Sequence, residues 1–159
     1  MENNGKKARK LNFELVPDGC WYYNLRSILK PEQWDYIKRT VKEKAGGKCA
    51  VCGEKSARLD AHEKWSYDEK KGVQKLEGVY AVCPKCHAAI HIGRTSLKGD
   101  LNAAEDQYMK VNGVSYAEMK KDLSEANERH KRLNEVAEWV TDISKLKEII
   151  GFDEDKKQR

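Results

Sequence analysis

Cys83-Pro84-Lys85-Cys86-His87-Ala88-Ala89-Ile90-His91 is the stretch on which the reading of this chain turns, together with Cys49-Ala50-Val51-Cys52 upstream. Both contain a C-x2-C pair, and 30 residues separate the pairs. Two residues between cysteines let both thiolates of a pair reach the same ion, so the four predict a tetrahedral structural Zn2+ site, not disulfides. Gly53 follows the first pair and supplies the positive φ that a knuckle turn requires. The remaining cysteine, Cys20, reads as a small buried core residue.

The same stretch carries His87 and His91, four apart and therefore on one face of a helix. That helix is predicted from His87 to about Ile92, stopped by Gly93. Upstream, Arg58-Leu59-Asp60-Ala61-His62 and Gly78-Val79-Tyr80-Ala81-Val82 read as short strands. The intervening Glu63–Glu77 is a long charged loop with a turn at Gly72. Packing two strands and a helix around the cysteines brings His62 toward His87 and His91. Three neutral imidazoles make a site for a second divalent metal with positions open to water or phosphate. His130, in an apolar helical stripe, reads as a satisfied histidine and not a ligand.

Leu59-Asp60-Ala61-His62-Glu63, followed by Gly78 to His91, resembles the HNH endonucleases of the ββα-metal class, in the version with two C-x2-C zinc knuckles. The resemblance covers about Gly47–Thr95. It implies an α+β fold with a small ββα-metal core, and phosphodiester hydrolysis at one divalent ion: Mg2+, Mn2+, Ni2+ or Zn2+. Carried over residue by residue, it gives His62, His87 and His91 as metal ligands and Glu63 as the base that activates water. Glu63 stands where the family has a histidine, and Gly78 where it has an asparagine. In an alternative register Asp60 is the ligand and His62 the base. Lys64, Lys85, Arg94 and Lys98 flank the site in sequence and are candidate phosphate contacts.

Outward from this core, Pro31–Ala45 reads as a helix with Trp34, Ile37 and Val41 on one face, ended by Gly46-Gly47. Residues 1–11 read as a flexible basic arm, and residues 12–30 as an irregular segment with the aromatic run Trp21-Tyr22-Tyr23. Beyond residue 95 the pattern is helical. Asp100 caps one helix closed by Asn112-Gly113, and Ser115-x-x-Glu118 opens a longer one with Tyr116, Met119, Leu123 and Leu133 on its stripe. A final short helix starts at Asp142 or Ser144 and ends at Gly151. The organisation is therefore 1–30 arm and irregular segment, 31–95 helix plus zinc core, 96–152 helical extension and 153–159 frayed tail.

The 159 residues carry a formal net charge of +5, distributed unevenly. Residues 1–99 hold 20 Lys+Arg against 12 Asp+Glu, and residues 100–159 hold 11 against 14. A basic front around the metal ligands suits a nucleic acid, DNA in the first instance. Mean hydropathy is −0.87, and no stretch has the roughly 18–20 apolar residues of a membrane span. Basic residues at the start without an apolar run fit a reducing, cytoplasmic setting. Two functional classes follow: a metal-dependent DNA endonuclease, and a non-catalytic zinc module that binds nucleic acid or protein. The long helix near 115–138 suits a dimer as readily as an intramolecular core, so the oligomeric state stays open.

Overall fold

Alternating apolar and polar side chains make β1 (Asp60–Asp68) and β2 (Val73–Val82) a long antiparallel hairpin, in a fold of mixed α+β class. The structure, a computed structural model, describes residues 8–150, the last two without their side chains. The early arm, Gly151 and the tail at 153–159 lie outside the described residues. The expected loop at Glu63–Glu77 is instead the distal half of the hairpin. Its turn lies at Gly72, as the sequence predicts: Gly72 has φ 66°, and Asp68 Oδ1 accepts from the Lys70 and Lys71 N–H groups, each at 3.0 Å.

A bulge explains why the strand period was obscured. Lys64 pairs with Gly78 but Trp65 pairs with Leu76, leaving Glu77 as the extra residue. Gln74 and Leu76 alternate on one face before the bulge; Val79 and Ala81 continue that face after it. A short third strand, β3 (Val140–Asp142), lies parallel to β2 with Val73 opposite Val140.

The two faces of the hairpin receive different elements. Against one pack α1 (Leu25–Ile28) and α2 (Pro31–Ala45). The boundaries of α2 follow from Pro31 at its start and Gly46 in the left-handed conformation at its end, φ 60°. Trp34, Ile37 and Val41 are its buried face, as their spacing predicts. On the other face lies α3 (Pro84–Ile90), which starts three residues earlier than expected because Pro84 occupies the first turn. Gly93 does not stop the helical path. The chain bends at His91 and continues as α4 (Ile92–Lys98).

Three further helices, α5 (Leu101–Asn112), α6 (Tyr116–Asn134) and α7 (Leu146–Ile150), follow among the described residues. Asp100 and Ser115 cap α5 and α6 as their motifs predict. Asp142, offered as a helix start, lies in β3. The last residues of the expected basic arm are not free. Leu11 is buried, and just beyond the arm, in the segment read as irregular, Phe13 stacks on Tyr108 of α5 with ring centroids 3.9 Å apart. Arg9 pairs with buried Asp122 of α6 at 2.8 Å, and Tyr108 donates to the same carboxylate at 2.7 Å. Cys20 is buried, as expected.

Asn112 ties this segment down with three bonds. Its Oδ1 accepts from the N–H groups of Lys10 (2.9 Å) and Leu11 (3.0 Å), and its Nδ2 donates to the Leu11 carbonyl (2.9 Å). Removing a buried group with several bonds leaves its partners unpaired. Asn112→Ala should therefore lower the unfolding free energy by about 2–3 kcal/mol, measured by urea titration. A loss below about 0.5 kcal/mol would show that the segment is not held this way.

Candidate functional site

Two clusters of metal-ligating side chains occur among the described residues, and α3 carries part of both. The first is Cys49, Cys52, Cys83 and Cys86, whose sulfurs all lie within 4.8 Å of one another. The first knuckle is a tight turn in which Gly53, at φ 76°, returns its N–H to the Cys49 carbonyl at 2.9 Å. Ala50 N–H donates to the Ala81 carbonyl at 2.8 Å, fastening that knuckle to β2. In the second knuckle Cys83 caps α3, its sulfur accepting from Cys86 N–H at 3.4 Å.

The residues fit a metal. Cys52 Sγ and Cys83 Sγ are 3.9 Å apart, far beyond a disulfide bond. They are close to the roughly 3.8 Å expected of two thiolates on one tetrahedral zinc, where each bond is about 2.3 Å. Backbone N–H groups of Val51 and Cys52 point at Cys49 Sγ, both at 3.4 Å. Burial opposes ionisation of Cys49, but the N–H groups of Cys52, Cys83 and Val51 outweigh it and pull the thiol down to about 7. Burial above all, with Cys83 and Cys49 adding to it and Gln107 opposing, pushes Cys86 well above the usual thiol range. A buried cation reverses that penalty, because the thiolate is the ligand. Gln107 of α5 also donates to Cys86 Sγ, at 3.3 Å.

The second cluster is His62, His87 and His91, again with one ring nitrogen from each within 4.8 Å of the others. His62 lies at the middle of β1 opposite Tyr80; His87 is on α3 and His91 at the bend after it. Ring centroids are 5.6 Å (His62–His87), 5.2 Å (His62–His91) and 4.9 Å (His87–His91) apart. Three imidazoles sharing a tetrahedral ion would place them roughly 5 Å apart. Burial first, then repulsion from His62 and His87 whenever those rings are protonated and from the Arg94 charge, push His91 down to about 3. Burial also lowers His87, against the opposing pull of Asp60. At neutral pH these two rings are uncharged and keep a lone pair for a metal.

Not every residue singled out from the sequence joins the triad. Neighbouring strand residues face opposite sides, so Glu63 projects from β1 away from His62. Its Oε1 accepts from Leu25 N–H at 2.7 Å, at the start of α1. Burial raises its pKa, although the Leu25 N–H pulls the other way. The expectation of Glu63 as a base beside the metal is thus corrected: it is a helix-capping carboxylate on the far face. Asp60 is not grouped with the triad as a ligand. Its Oδ2 lies 3.2 Å from His87 Nδ1, and its Oδ1 accepts from Arg58 at 3.2 Å. Gly78 leaves room for the Tyr80 ring, which a Cβ would meet at 2.6–2.7 Å.

The four candidate phosphate contacts, Lys64, Lys85, Arg94 and Lys98, are all exposed. Arg94 is near enough to depress both helix histidines, and it makes no ion pair among the described residues. Lys64 shares with His62 and Tyr80 the lining of a cavity of ≈ 170 Å³. Trp65 and Tyr67 lie on the other face, Tyr67 edge-on to Trp139 at 5.6 Å. His130 contacts the Val16 carbonyl at 3.1 Å and belongs to neither cluster.

One site residue had no sequence signal. Glu14, 48 positions before His62, places both carboxylate oxygens 3.2 Å from His62 Nε2. It sits in a segment without periodicity, and only the folded chain brings it to β1.

Compared with known proteins, the chain matches no family model, no curated protein and no solved structure. Among the described residues no helix is long and apolar enough to cross a membrane.

The lowered His91 pKa has a defined sign in stability. Unfolded His91 titrates near 6.5 while the folded residue stays neutral, so the unfolded state binds more protons as pH falls. Without metal at the histidines, stability should therefore decline below about pH 6.5, by up to about 2 kcal/mol at about pH 5 from this residue. Urea unfolding at about pH 7.5 and pH 5 should show a larger drop in the parent than in His91→Gln. Equal drops would contradict the assignment.

Proposed function

We propose that the protein is a metal-dependent, HNH-like endonuclease hydrolysing phosphodiester bonds in DNA. A structural Zn2+ would occupy the four cysteines. A second divalent ion, Mg2+, Mn2+, Ni2+ or Zn2+, would be held by His62, His87 and His91. The observation that carries the reading is the convergence of these three imidazoles on a hairpin-then-helix unit whose helix begins in the cysteine cluster. That order, β1, β2, α3, is the one the HNH resemblance implies.

When bound, the ion at the histidines would stabilise charge developing on the scissile phosphate and leaving oxygen and acidify a bound water. The chain's own residues prepare that site. Asp60 orients His87 through Nδ1, leaving Nε2 toward the other rings. Burial and the Arg94 charge keep His87 and His91 neutral and able to ligate. Arg94 and Lys64, exposed at the triad, with Lys85 in the first turn of α3 and Lys98 at the end of α4, would hold backbone phosphates and so set the position of the strand.

A second reading, a zinc-stabilised module that binds nucleic acid or protein without cleaving it, is favoured by one observation. The residue following His62, which in the family activates water, is here committed to the start of α1. Supercoiled-plasmid cleavage with each metal in turn separates the two. The nuclease reading expects metal-dependent cleavage that falls about 100-fold or more in His87→Ala, and that persists in Glu63→Gln, which retains an acceptor for Leu25. No cleavage with any metal, alongside salt-sensitive DNA binding, would establish the second reading.

A further inference from the structure

We propose that Glu14 is a positioning residue of the histidine site: its carboxylate holds His62 as the Nε2–H tautomer and so presents Nδ1 to the ion. The inference rests on the metal-binding reading of His62, His87 and His91 given above.

The chemistry of the contact sets the tautomer. Both Glu14 oxygens lie 3.2 Å from His62 Nε2, and an ionised carboxylate can only accept. Nε2 must therefore carry the hydrogen, and in the neutral ring the lone pair is on Nδ1. His62 is 4% exposed, so water offers little competition for either nitrogen. A mirror arrangement holds the neighbouring ring: Asp60 lies 3.2 Å from His87 Nδ1, leaving Nε2 of that histidine for the ion. Two of the three rings thus have one nitrogen engaged by a carboxylate and the other available. An outer carboxylate of this kind fixes ring orientation and raises the basicity of the ligating nitrogen.

Glu14 is itself held on the helix that supplies the other ligands. Its N–H donates to the carbonyl of Ile90, the residue before His91, at 2.9 Å. The chain just before it is anchored elsewhere, through Phe13 on Tyr108, the Leu11 backbone on Asn112 and Arg9 on Asp122. The C-terminal helices α5 and α6 therefore fix the position of a carboxylate at the metal site, a role that follows from their contacts with the N-terminal segment and not from any ligand of their own.

Long-range 1H–15N correlation spectra of the imidazoles test this directly, on full-length protein with zinc retained at the cysteines. The parent should show His62 as the Nε2–H tautomer, and added Zn2+ should shift Nδ1 of His62. Glu14→Ala should populate both tautomers and weaken Zn2+ binding at the histidines about 10–100-fold by calorimetry. Glu14→Gln, whose amide oxygen still accepts from Nε2, should recover most of that affinity. An Nδ1–H tautomer in the parent, or unchanged affinity in Glu14→Ala, would overturn the role of Glu14. A parent that keeps the predicted tautomer yet takes up no Zn2+, Mg2+, Mn2+ or Ni2+ at the histidines would overturn the metal reading itself, and the proposal with it.

Discussion

Four cysteine sulfurs gathered within reach of one another hold the N-terminus of α3, and most of the site depends on that attachment. A seven-residue helix has too few internal hydrogen bonds to persist alone in water. Here its first turn contains Cys83 as the cap and Cys86 as a buried residue, while Cys49 and Cys52 approach from a loop fastened to β2. Fixing Cys86 fixes the rotation of the helix, and rotation decides where His87 and His91 point. The helix bends immediately after its last residue, at His91, so the second histidine is set by both α3 and α4.

The hairpin supplies the opposing wall. His62, with Asp60 two residues before it, faces α3, while Ala61 and Glu63 face α1 and α2. One strand thereby serves two purposes: its even positions build the histidine site, and its odd positions seal the main core. The bulge at Glu77 lets β2 keep Leu76 and Val79 in that core despite the extra residue, and Gly78 beside it gives the Tyr80 ring space next to Lys64 and His62. The polar site thus shares its face of the hairpin with a smaller apolar contact, in which Val82 of β2 and Ala89 and Ile90 of α3 are buried.

Much of this was legible because the informative signals are local. C-x2-C spacing, His at i and i+4, Pro31 and Gly46 at the ends of α2, and Ser115 before Glu118 each report a few consecutive residues. The placement of His62 near the other histidines needed only the packing of two strands and a helix. The expectation for Glu63 failed by the alternation rule: residues adjacent on a strand cannot both face one site without a distortion, and the bulge lies beyond it. The hairpin's distal half was hidden because Lys64, Ser66, Asp68, Lys75 and Glu77 make the stretch look like a charged loop. Its apolar alternation (Trp65, Tyr67, Leu76, Val79) changes phase at the bulge. What no local pattern carried was pairing over long sequence distances: β3 with β2, Asn112 with Leu11, Asp122 with Arg9, and Glu14 with His62. Basic residues up to Lys10 gave residues 1–11 the composition of a free arm, although Arg9 and Leu11, with Phe13 just after, dock on α5 and α6.

Two clusters of metal-ligating side chains, one of cysteines and one of histidines, share one short helix, and each is proposed to hold an ion. Anomalous diffraction from crystals grown with Zn2+ tests this most directly. Two peaks are expected, one surrounded by the sulfurs of Cys49, Cys52, Cys83 and Cys86 at about 2.3 Å, the other by nitrogens of His62, His87 and His91 at about 2.0–2.1 Å. A single peak at the cysteines, with the three imidazoles bonded only to protein or water, would contradict it.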